Sequence, residues 1–354
     1  WRARGFAAAA GQHPLVDVGG LLPGSQCSGR REAALAQLRS ALLDGGPGYF
    51  YAANMDAALP ADYIQKVYGF AHKLHSLPLD VKKRFIGLGG SSTAGAVYSG
   101  ADAGQPELAY DPGTQASVRA WDYSRSRLRA TAAAGPKYPD TDPPFHAVLD
   151  ELYERQNVLG AVLMSAFAEI LSLPKDAFSK HFLSGDLGTI RLLHYPGEEE
   201  PGADVGIAPH TDFEAFTLMH QDAPGLQFLP AHYESKGLSP AELPWVDAPV
   251  RDSEFVVILG DVMERFTNGV LKATPHRVLR SARPRLSIIR FNAVAPEVVV
   301  EPMEEFVTKE RPKAYTRCTM QQHLETTISN LDKGLGSWDP VAGVSTSARY
   351  RYQE

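Results

Sequence analysis

His210, Asp212 and His276 have the residue types and spacing of a metal site. His210-Thr211-Asp212 sets two ligand-type side chains at i and i+2. On a strand that spacing directs both to one face, where they can share an ion. His276 follows 64 residues after Asp212, within Thr274-Pro275-His276-Arg277-Val278. Two imidazoles and one carboxylate on one side of a metal leave its remaining positions open. Iron(II) is held this way when oxygen and a co-substrate must both reach it. Zinc takes the same ligands, and a His-x-Asp pair alone is as readily a hydrogen-bonded structural histidine.

The context that favours iron lies nine and eleven residues beyond His276, at Arg285 and Ser287. These also stand at i and i+2 and should share a strand face. A guanidinium fork beside a hydroxyl makes a charge-assisted, bidentate receptor for a carboxylate. Taken alone, Arg285 reads equally as a surface arginine next to a core strand.

Strands must position both groups, and the pattern supplies them in the second half of the chain. Residues 189–195, 216–220, 226–229, 255–259 and 286–291 are short apolar runs separated by Gly, Pro, Asp and an Asn268-Gly269 turn. Short strands at this spacing suggest a sandwich or jelly roll. The first half is helical in pattern. Residues 31–43 and 62–74 repeat apolar side chains at helical spacing, and residues 145–173 form a longer helix stopped by Pro174. Residues 48–52 (Gly-Tyr-Phe-Tyr-Ala) read as an aromatic strand, while residues 89–136 show no sustained period and suggest an active-site cover. A further helix is expected near residues 316–324. The fold class is α+β, with helices packed on one side of a roll.

Composition excludes several functions. The chain has 354 residues and a formal net charge of −6, which argues against nucleic acid or an anionic membrane surface as partner. No apolar run reaches the roughly 18 residues of a membrane span. Cys27 and Cys318 cannot build a disulfide framework, which suits a reducing, cytoplasmic location. The expected organisation is a frayed tail over residues 1–12, the remnant of a processed or truncated segment being the other reading. One domain then covers residues 13–354. Within it, residues 13–185 are mainly helical, 186–295 form the roll with the metal site, and 296–354 form a helical C-terminal part. A monomer acting on a small molecule is expected.

In this order, Arg191-Leu-Leu-His-Tyr-Pro196, Pro209-His-Thr-Asp212, Pro224-Gly-Leu-Gln-Phe228, Gly260-Asp261, Thr274-Pro-His-Arg-Val278 and Arg285-Leu-Ser287 resemble the isopenicillin N synthase-like branch of the iron(II)- and 2-oxoglutarate-dependent dioxygenases. The likeness runs over roughly residues 189–292, with a weaker echo at Gly48-Tyr-Phe-Tyr51. It implies a double-stranded β-helix (jelly-roll) core with flanking N-terminal and C-terminal helices. It implies Fe(II) on His210, Asp212 and His276, with O2 and 2-oxoglutarate as co-substrates. Arg285 and Ser287 would hold the distal carboxylate of 2-oxoglutarate, with Tyr195 as a further contact. The implied reaction is oxidation, by default hydroxylation, of a small metabolite with release of succinate and CO2. A same-fold Fe(II) oxidase that does not use 2-oxoglutarate and a non-catalytic binding protein are the alternatives.

The chain departs from the family pattern in two places. The interval from Asp212 to His276 is longer than usual, and residues 231–244 read as the inserted loop. Ala96-Val97-Tyr98 and Arg119-Ala-Trp-Asp-Tyr123 stand where many members carry other residues, so these stretches bear on the substrate. Substrate candidates are Tyr98, Arg119, Arg191 and Phe291, with Trp121, Tyr123 and the helix near residues 316–324 as further pocket walls. Packing or surface ion pairs are the plainer readings for each. His194, His220 and His232 lack a partner pattern and read as structural.

Overall fold

Strand β12 (Arg285–Asn292) is buried on both faces except at Phe291, so a layer of structure must cover each side of it. In the computed structural model the described residues are 13–24, 28–86, 96–104, 118–125, 138–182, 188–197, 205–231, 233, 238–239, 242–339 and 344–346. The expected tail, His232, Cys27 and half of the expected inserted loop fall outside them.

Two sheets form the roll. The larger has eight strands in the order β1 (Leu15–Asp17), β2 (Tyr49–Ala53), β10 (Phe255–Leu259), β7 (Phe216–Gln221), β12, β5 (Thr189–Tyr195), β4 (Arg119–Tyr123) and β3 (Ala96–Gly100). The smaller has four, in the order β6 (Val205–His210), β11 (His276–Leu279), β8 (Leu226–Phe228) and β9 (Val246–Asp247). All pairings in these two sheets are antiparallel except β1 with β2. Between the sheets lies a small core that includes Tyr49, Leu193, Met219, Phe228, Ile258 and Ile289.

Helices cover the outer face of the larger sheet. They are α1 (Ser28–Leu42), α2 (Ala61–His75) and α3 (Phe145–Ile170). Helix α2 starts behind Pro60, whose φ of −64° suits an entry to a helix, and buries Ile64, Val67, Phe70, Ala71 and Leu74 on one stripe. Each fully buried aliphatic or aromatic side chain contributes about 1.5–3 kcal/mol relative to exposure. Helices α4 (Asp261–Phe266) and α5 (Met320–Asp332) complete the set used below.

One expectation changes. Residues 89–136 contain β3 and β4, which extend the sheet beyond β5, and with β1 and β2 they make the first half more than a helical flank. Helices cover one face of β3 and β4 and the roll lies behind the other.

Candidate metal centre and co-substrate pocket

The ends of two paired strands build the metal group. His210 closes β6, His276 opens β11, and the two are direct register partners with ring centroids 4.2 Å apart. Asp212 lies two residues past β6, in the bend leading to β7. His210 Nδ1 donates to the carbonyl of Ala208 at 2.8 Å, and His276 Nδ1 to that of Thr274 at 3.1 Å. A carbonyl only accepts, so both Nδ1 atoms carry the proton and each Nε2 presents a lone pair. The Nε2 atoms stand 3.8 Å and 3.7 Å from Asp212 Oδ1. These gaps are too long for hydrogen bonds, and the ligand atoms lie within 4.8 Å of one another, as around one cation. Burial, then the neighbouring His276, holds the His210 imidazole well below its usual range and therefore neutral. The donor set fits a divalent transition metal with open positions.

Asp212 is held from its far side. Its Oδ2 accepts the hydroxyl of Thr217, a buried residue on β7. The same bend is tied down along its backbone: Asp261 N donates to Asp212 O at 2.9 Å, Val262 N to Glu214 O at 3.1 Å and Gly260 N to Ala215 O at 2.9 Å. Gly260 must be glycine, because a Cβ there would stand 2.3 Å from Glu214 O. Burial and the nearby Asp212 push the Glu214 carboxyl up to about 8, and burial takes Asp261 to about 7.

A second polar group faces the roll interior from β12. Arg285 and Ser287 sit in register with Tyr195 and Leu193 of β5. The Arg285 guanidinium lies 4.7 Å from the Tyr195 ring centroid. Its Nε donates to Ala223 O at 3.2 Å and its Nη2 to Gln221 Oε1 at 2.9 Å. Gln221 is fixed in turn by donating to Ala248 O at 3.1 Å. Arg285 Nη1 and Ser287 Oγ are buried and have no hydrogen-bond partner among the described residues. A buried guanidinium with one arm idle, beside an idle hydroxyl, is costly unless an anion joins them. The pocket therefore fits a carboxylate.

The sequence candidates for substrate contact divide by sheet face. Arg191, opposite Ile289 of β12, shares the interior face, and its charge acts on His210 and Glu214. It forms a two-pronged pair with Asp122 of β4 at 2.7 Å and 2.8 Å, and lies 5.6 Å from the Phe291 ring. Tyr98, Trp121 and Tyr123 join the helix-covered core instead. Tyr98 donates to Asp102 at 2.8 Å, and Arg119 meets the same carboxylate at 3.5 Å. The alternation of β4 explains this: Asp122 faces inward with Arg191, so its neighbours Trp121 and Tyr123 face out. Tyr98 and Arg119 are thus placed on the sheet face opposite the metal group. His220 bonds to Tyr68 at 2.7 Å and to Asp252 O at 3.2 Å, as a structural histidine would, and His194 packs on His75.

Sequence reasoning missed Thr217, Gln221, Asp122 and His323. For the first two a signal existed: Thr217 and Gln221 are polar residues on the face of β7 shared with Met219.

Residues 188–293 match the 2OG-Fe(II) oxygenase superfamily. The chain is 28% identical to gibberellin 20 oxidase 1-B of Triticum aestivum over 324 residues, covering 89% of this chain and 80% of that protein. It is 26% identical to codeine O-demethylase of Papaver somniferum over 195 residues, covering 54% and 51%. The match spans about half the length of several such relatives. Among solved structures, JOX2 in complex with 2OG, Fe and JA superposes with a TM-score of 0.70 at 19% identity, covering 97% of this chain and 89% of that one. The dioxygenase for auxin oxidation in rice superposes with a TM-score of 0.68 at 21% identity, covering 95% and 100%. The fold is the jelly roll of these oxygenases. The segment that matches the superfamily is the one that carries the metal-ligand cluster and the Arg285–Ser287 pair. Among the described residues, no helix is long and apolar enough to cross a membrane.

Proposed function

We propose that this chain is an Fe(II)- and 2-oxoglutarate-dependent dioxygenase that hydroxylates a C–H bond of a small carboxylated or aromatic metabolite. One O2 and one 2-oxoglutarate are consumed for each product, with succinate and CO2 released. His210, Asp212 and His276 would hold the iron. When bound, the iron supplies oxygen activation coupled to oxidative decarboxylation of the keto acid. The observation that carries this reading is the idle pair Arg285 Nη1 and Ser287 Oγ, buried in the same roll as a three-ligand metal group.

The protein's own part is to orient and to exclude water. Arg285 and Ser287 take the distal carboxylate of 2-oxoglutarate, with Tyr195 alongside, and Gln221 fixes the guanidinium that receives it. The carbonyls of Ala208 and Thr274 take the Nδ1 protons of His210 and His276, so each ring turns Nε2 toward the metal position. Arg191 and Phe291 form the substrate wall, the Asp122 carboxylate setting the guanidinium's plane.

Anaerobic calorimetry of 2-oxoglutarate against the Fe(II)-loaded chain tests this assignment. One ligand per metal-loaded chain is expected. Absence of binding to the loaded chain would overturn it.

A further inference from the structure

The bend that carries Asp212 offers four consecutive carbonyls, from Asp212 to Ala215. Three of them accept backbone N–H groups from residues 260–262, bonds that survive most side-chain changes there. The fourth, Phe213 O, accepts from a side chain, His323 Nε2 at 3.0 Å. That histidine comes from the C-terminal helix α5, 110 residues away, and is 1% exposed. Its place is fixed by the helix start: Thr319 accepts from Gln322 N at 3.2 Å while Gln322 accepts from Thr319 N at 2.9 Å. Such a reciprocal cap sets where the first turn stands, and His323 follows directly.

Because Phe213 O only accepts, His323 must carry its proton on Nε2. The neighbouring Asp261 Oδ2 is 3.9 Å from Nε2, outside hydrogen-bond range. Among the described residues the ring has one directed bond, and it ends on the residue next to a metal-binding carboxylate. Groups that orient a ligand in this way typically change metal affinity by about 10- to 100-fold when removed.

We propose that His323 is a positioning residue for the metal site, holding Asp212 in its ligating place through the Phe213 carbonyl. The C-terminal helix is then a working part of the metal centre rather than a cover. This inference rests on the metal-site assignment above.

Co(II) titration of the full-length chain, followed by absorbance, tests it without turnover. His323→Phe keeps an aromatic ring and removes the donor, whereas His323→Gln sets an amide N–H near the position of Nε2. H323F should weaken Co(II) binding about tenfold and alter the Co(II) band shape, with H323Q within about twofold of wild type. Wild-type affinity and spectrum in a folded H323F, or loss in H323Q equal to that in H323F, would overturn the proposal. Should H323F fail to fold, His323→Met takes its place. Failure of both, beside a folded H323Q that binds normally, would assign His323 to stability alone and also overturn it. A wild-type chain with no Co(II) affinity would defeat the metal site itself, and the inference with it. Wild-type binding with unaffected variants defeats the inference alone.

Discussion

The Thr217 hydroxyl donates to Asp212 Oδ2, which leaves Oδ1 turned toward Nε2 of His210 and of His276. One strand residue thereby selects which carboxylate oxygen serves the metal. Thr217→Val keeps the shape and removes the donor, stranding a buried carboxylate oxygen. Metal affinity should fall about tenfold by titration, and Thr217→Ser should restore it. Unchanged affinity in the valine variant would detach Thr217 from the site.

Metal addition should stabilise the chain, because the folded state holds His210, Asp212 and His276 together and the unfolded state does not. Co(II) at about 100 times its dissociation constant should add about 2.7 kcal/mol to unfolding stability. His276→Ala should abolish that gain in a thermal melt. A melting temperature that rises equally in both proteins would place the metal elsewhere.

Arg285→Gln should separate co-substrate binding from metal binding. The substitution removes a charge-assisted fork from a buried site, so 2-oxoglutarate affinity should fall by about two orders of magnitude at roughly 1.4 kcal/mol per decade. Metal affinity should stay near wild type. Arg285→Lys should not rescue, since a point charge cannot reproduce the bonds to Ala223 and Gln221. Calorimetry of each ligand in turn reads both effects.

Gly260→Ala should damage the metal centre from behind. The added carbon would meet Glu214 O at 2.3 Å and Asp212 O at 3.0 Å, both backbone atoms that cannot swing aside. A loss of about 1–3 kcal/mol in urea unfolding is expected, with weakened metal binding. A variant as stable as wild type would show that the bend has slack.

His75 gives a pH test away from the site. It is buried, donates to Leu192 O at 3.1 Å, and burial lowers its imidazole to about 3. As pH falls below the ordinary histidine value of about 6.5, the unfolded chain takes up a proton that the folded chain refuses, so stability is lost. His75→Gln retains the donor and cannot titrate. Between about pH 7 and pH 5 the wild type should lose about 2 kcal/mol relative to the variant in urea unfolding. Parallel pH curves would contradict the buried neutral state.

The cluster of His210, Asp212 and His276 was legible because ligand chemistry restricts residue type, although Asp212 meets the histidines from the bend after β6 and not along a strand face. That Arg285 and Ser287 share one face of β12 was legible from their i and i+2 spacing, and the three main helices were legible from their apolar stripes. Of the substrate candidates, Arg191 and Phe291 face the roll interior, whereas Tyr98, Trp121 and Tyr123 face the helix-covered core. Tyr98 and Trp121 are aromatic residues near the right strands, but the face each turns inward depends on the register of β4 with β5 and of β3 with β4, and sequence does not carry those registers. Thr217 shows in the sequence only as a polar position of β7, and His323 acts on a bend whose geometry exists only once β7 and α5 are in place.

The most direct test of the oxygenase assignment is succinate counted against oxidised product. The Fe(II)-loaded chain would be supplied with 2-oxoglutarate, O2 and a panel of small carboxylic and aromatic acids. Succinate equal to hydroxylated product, and neither from H276A, is the expected result. Oxygen-dependent product with no succinate would contradict it.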